Sequence, residues 1–90
     1  MDNTTLKGQN VSRDAVLEAL RVFDAAFPDP NGYDHWLESG IYTYAIHYAG
    51  RVYPPKYILS QVTGMPMNEL RQSLRIRQVF RALGFVVAEK

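Results

Sequence analysis

Apolar positions alternate between two periods along this chain. Val16, Leu20, Phe23 and Phe27 recur at helical spacing, with Ala15, Ala19, Val22 and Ala26 beside them. Arg13, Glu18 and Arg21 lie off that stripe. Ser12 is a good N-cap and Asp14 suits the positive end of the helix dipole. The pattern predicts a helix over about 12–27, ended by Pro28 and the Asp29-Pro30-Asn31-Gly32 cluster. A short helix is expected over Tyr33–Ser39, around Trp36 and Leu37. Residues 1–10 carry no periodicity and are expected to be a flexible N-terminus.

From Ile41 to Tyr48 the pattern changes to β-branched and aromatic residues, which predicts a strand. Ala49-Gly50 reads as a hairpin turn and Arg51–Tyr53 as the return strand. Tyr42, Tyr44, Ile46 and Tyr48 share one face, Ile41, Thr43, Ala45 and His47 the other. Pro54-Pro55 opens a second helix, since proline suits a first turn, and Gly64 closes it. Asn68 is a cap for a third helix with a stripe of Leu70, Leu74, Ile76, Val79, Phe80 and Leu83. Gly84 ends it, and Phe85–Ala88 reads as a last strand. The expected fold is a small α+β single domain over residues 11–90: helix, β-hairpin, two helices, C-terminal strand. The expected core is Val16, Leu20, Phe23, Phe27, Ile46, Ile58, Phe80 and Leu83.

Composition narrows the function. Ninety residues make one small domain, too short for a barrel enzyme or a dinucleotide fold. At 47% hydrophobic and 21% charged, the chain has the means to fold. It has no cysteine, which excludes disulfides, thiolate metal sites and cysteine nucleophiles and favours a cytoplasmic setting. The histidines, His35 and His47, sit on different predicted elements. There is no H-E-x-x-H pattern, no nucleophile elbow and no glycine-rich phosphate loop. No enzymatic activity, metal or cofactor is expected.

The net charge of +1 hides two halves of opposite sign. Residues 1–38 hold three bases and seven acids, a balance of −4. Residues 39–88 hold six bases and one acid, a balance of +5. Five of the six tyrosines fall within sixteen residues of that basic half, interleaved with His47, Arg51 and Lys56. On the last helix Arg71 and Arg75 are four apart, as are Arg77 and Arg81, and none has an acid at helical spacing. A row of like charges is relieved by a polyanion. Arg51, Lys56, Arg71, Arg75, Arg77 and Arg81 are therefore candidate phosphate contacts, with Ser60 and Gln61 as polar contacts.

The stretch Tyr44-Ala45-Ile46-His47-Tyr48-Ala49-Gly50-Arg51-Val52-Tyr53-Pro54-Pro55-Lys56-Tyr57-Ile58 resembles the N-terminal head domain of McrA-type, modification-dependent HNH restriction endonucleases. Those heads have an opening helix, a strand–glycine–strand passage into a Tyr-Pro-Pro-Lys helix start, and a Leu-Gly-Phe ending. Here those landmarks are Ser12–Phe27, Tyr53-Pro54-Pro55-Lys56 and Leu83-Gly84-Phe85, so the resemblance spans about residues 11–88. Some relatives have a glycine-rich segment where this chain has Glu69-Leu70-Arg71-Gln72-Ser73.

The resemblance implies binding of double-stranded DNA, with 5-methylcytosine as the modification read, in a bacterial restriction system. It implies a fused or partner nuclease, a module these 90 residues do not contain. A cytosine methyl projects into the major groove and needs an apolar wall. Trp36, Tyr53, Pro55, Tyr57 and His47 are the candidates for that pocket. Two other readings stand beside it: a protein-interaction module with a tyrosine-rich surface, and a nonspecific or RNA-type nucleic-acid binder.

Overall fold

The computed structural model describes residues 3–6, 8–29, 44–66, 70 and 73–89. Chain order among them is β1 (Asn3–Leu6), β2 (Gln9–Ser12), α1 (Arg13–Ala26), β3 (Tyr44–Tyr48), β4 (Arg51–Tyr53), α2 (Pro55–Thr63), α3 (Ser73–Ala82) and β5 (Val86–Glu89). The expected α+β class and the order of its elements hold. The expected Tyr33–Ser39 helix, the first three residues of the Ile41–Tyr48 strand and the Asn68 cap lie outside the described residues.

Each boundary has a local cause. Ser12 is extended (φ −102°) and its hydroxyl accepts from the Ala15 amide at 3.1 Å, starting α1. Pro55 occupies the first turn of α2. The end of α2 is wrapped on itself. Gly64 is left-handed at φ +74°, and the Ser60 hydroxyl donates to the Met65 carbonyl at 2.6 Å.

β3 is the central strand of an antiparallel sheet ordered β4-β3-β5. Ile46 pairs with Tyr53 on one side and Val87 on the other, so these three share the face turned to the core. They meet Val16, Leu20 and Phe23 of α1, Ile58 and Leu59 of α2, and Ile76, Val79 and Phe80 of α3. Of the eight expected core residues, seven are buried and Phe27 is half-buried against them. On the other face His47 and Val52 are half-buried and Val86 is exposed.

Two expectations are corrected. Residues 3–12 are not a featureless end: β1 and β2 pair antiparallel, Asn3 opposite Ser12 and Leu6 opposite Gln9. Among the described residues of this hairpin only Leu6 and Val11 are buried, which is why no apolar period marks it. Leu74, placed on the core stripe by its spacing from Leu70, is 57% exposed. Leu70 is itself buried, but α3 turns Ile76, Val79 and Phe80 inward and Leu74 outward.

Candidate nucleic-acid interface

The outward side of α3 follows from its phase. At about 100° per residue, Ile76, Val79 and Phe80 define the core side. Leu74, Gln78 and Arg81 then fall opposite, and Arg75 and Arg77 fall on the two flanks. Burial agrees: Leu74, Arg75, Gln78 and Arg81 are exposed and Arg77 is half-buried.

Each arginine is held by a different element. Arg75 donates to the Thr5 carbonyl of β1 at 2.8 Å. The Arg77 guanidinium lies 4.0 Å from the centre of the Tyr44 ring on β3, a cation–π contact. Arg81 donates to the Val87 carbonyl of β5 at 2.9 Å. A carbonyl orients a guanidinium without cancelling its charge, and one bond leaves most of its five N–H donors for another acceptor. Arg75 and Arg81 are thus oriented by neutral acceptors.

Arg51 behaves otherwise. Its Nε sits 3.2 Å from Asp24 Oδ1 and its Nη2 donates to the Pro28 carbonyl at 3.2 Å. Asp24 offsets its charge locally, so Arg51 is held in an ion pair rather than by neutral carbonyls alone. Lys56 lies in the first turn of α2 and is half-buried; Gln61 is exposed on the same helix; Ser60 is spent on Met65. Arg71 lies outside the described residues.

Four of the five expected pocket residues are described, and they do not share one exposed wall. Tyr53 is 2% exposed. Its ring packs edge-on against Phe23 at 5.7 Å, and its hydroxyl donates to Asp24 Oδ2 at 2.8 Å. It is a core residue, not a wall for a base. Tyr57 also packs on Phe23 and Phe27, at 5.7 and 6.2 Å. Pro55 is half-buried in the first turn of α2. His47 stands on the far face of the sheet, with Nε2 3.1 Å from the Glu89 carbonyl, to which it donates in the Nε2-protonated tautomer. Trp36 lies outside the described residues.

Sequence reasoning missed two residues. Asp24, one of the seven acids of the first half, joins Tyr53 and Arg51 in lining a cleft of about 330 Å³. Leu17 and Leu20 line that cleft from α1, and Tyr48 from β3. Arg13, off the apolar stripe, donates to the Leu83 carbonyl at 2.6 Å and lies 4.6 Å over the Phe85 ring. Helix periodicity carries no signal for a polar side chain that reaches a carbonyl seventy residues away.

Among the described residues no group of three or more His, Cys, Asp or Glu is placed to hold a metal ion. No helix among them is long and apolar enough to cross a membrane. Comparison of the chain with family models, curated proteins and solved structures finds no match.

Proposed function

We propose that this chain is a double-stranded DNA-binding module that presents α3 to the duplex. Its role is to recognise 5-methylcytosine-containing DNA, as the specificity part of a cytoplasmic bacterial restriction system whose nuclease is a separate domain or chain. The observation that carries the binding is the pair Arg75 and Arg81, exposed, charged and oriented by neutral carbonyls. Arginines fixed in this way meet phosphates with little further ordering. The modification rests on the resemblance of residues 44–58 and of the Leu83-Gly84-Phe85 ending to the McrA-type heads.

The tyrosine-surface reading is weaker. Among the described residues Tyr53 is buried, Tyr44 and Tyr57 are half-buried, and Tyr48 is exposed at 37%.

A salt titration of binding to one duplex, with and without cytosine methylation, tests the proposal. Duplex affinity is expected to fall steeply with salt, and Arg75→Ala and Arg81→Ala each to reduce the slope by about one unit. Single-stranded competitor should displace the duplex poorly. Salt-insensitive binding, or preference for single strands, would favour the other two readings.

A further inference from the structure

α3 carries an unexplained apolar residue. Leu74 is 57% exposed on a helix whose other large apolar residues, Ile76, Val79 and Phe80, are at most 3% exposed. It stands in the middle of the outward side, with Arg75 on one flank and Arg77 on the other. Gln78 is one turn further on, so Leu74 and Gln78 form a single row. Arg81 stands beyond them.

This order has a chemical sense on a duplex. The major groove is about 12 Å wide and admits an α-helix. Flanking cations then face phosphates, and the central row faces base edges. The groove edge of a cytosine shows a donor amine, and methylation adds a methyl at C5. The central row of α3 provides one apolar side chain and one amide. An amide can both donate and accept, and it is a natural reader of base edges.

We infer that Leu74 is the methyl-contacting residue and that Gln78 reads a neighbouring base edge. The inference rests on the duplex-binding reading above and adds the residues that supply specificity. It moves the methyl contact from the Tyr53–Tyr57 region, which packs the core, to the exposed side of α3. Charge complementarity selects the occupant: Arg75 on one flank of this row and Arg81 beyond its end, oriented by carbonyls of β1 and β5, suit a polyanionic partner such as a duplex.

The experiment measures affinities of the parent, Leu74→Ala, Leu74→Met and Gln78→Ala for one duplex in methylated and unmethylated forms. Burying one methyl gains about fourfold in affinity, and two methyls in a symmetric site about sixteenfold. The parent is expected to prefer the methylated duplex by at least the first factor. Leu74→Ala should bind both forms equally, while its salt slope, set by the arginines, stays that of the parent. Leu74→Met should restore the preference, and Gln78→Ala should change the preferred flanking sequence. Because Leu74 is exposed, Leu74→Ala should melt with the parent, which separates lost reading from lost fold. Methyl preference that survives in Leu74→Ala overturns this inference and leaves the DNA-binding module standing. A parent that binds duplexes without any methyl preference overturns it too. A parent that binds no duplex overturns the underlying reading itself.

Discussion

The phenol of Tyr53 donates to Asp24 Oδ2 at 2.8 Å, tying the end of the β-hairpin to the first helix across 29 residues of sequence. Burial, reinforced by that hydrogen bond and the Asp24 charge, pushes the Tyr53 hydroxyl up from 10.0 to about 12. The folded state therefore holds this proton more tightly than the unfolded chain does. The stabilisation is complete below pH 10 and is lost as pH climbs from 10 towards 12. In Tyr53→Phe the alkaline fall in stability should be shallower over that window. At neutral pH the same variant should lose about 1–2 kcal/mol, because Asp24 loses its donor. Urea melts of both proteins at stepped pH check both expectations.

Phe23 is the hub of the aromatic packing, with ring centres of Phe27, Tyr53 and Tyr57 at 5.1, 5.7 and 5.7 Å. Phe23→Ala should cost about 3–5 kcal/mol in chemical denaturation. A cost under about 1 kcal/mol would show that the core is arranged differently.

Tyr57 is half-buried in the same cluster, so Tyr57→Ala should cost about 1–3 kcal/mol. Once corrected for the folded fraction, its ratio of affinities for methylated and unmethylated duplex should equal the parent's. A selective loss of that ratio would return Tyr57 to a base-reading role.

The β3–β4 turn has left-handed backbone at both central residues, Ala49 at φ +52° and Gly50 at φ +79°. Glycine bears this freely, but alanine is strained by its Cβ. Asparagine followed by glycine is the preferred pair for such a turn. Ala49→Asn should therefore raise stability by about 0.5–1 kcal/mol, read as a higher melting temperature.

Much of this arrangement was legible because it is local. Ser12 and the Val16-Leu20-Phe23 spacing define α1, and Ala49-Gly50 between β-branched and aromatic runs defines the hairpin. Pro55 and Gly64 mark the limits of α2. What stayed hidden depends on partners far off in sequence. The described residues of the β1–β2 hairpin bury two side chains, so its sequence looks like loop. Leu74 fits an apolar stripe until the phase of α3 is set by Ile76 and Phe80. The basic character of α3 could be read directly. That Arg51 is paired with an acid, while Arg75 and Arg81 meet carbonyls, could not: Asp24, Thr5 and Val87 all lie on other elements.

The central place of β3 imposes an order on assembly. Its partner on one edge, β4, follows after a two-residue turn, but its partner on the other edge, β5, begins 38 residues after β3 ends. On the ribosome the hairpin and α2 emerge first, with one edge of β3 still open. Backbone donors and acceptors along that edge can pair with any extended neighbour. Only when Val86–Glu89 clears the exit tunnel is the vacancy filled by the chain itself. Translation halted before Val86 should yield a product that associates through Tyr44–Tyr48, whereas the same length of chain lost from the other end would leave this sheet closed.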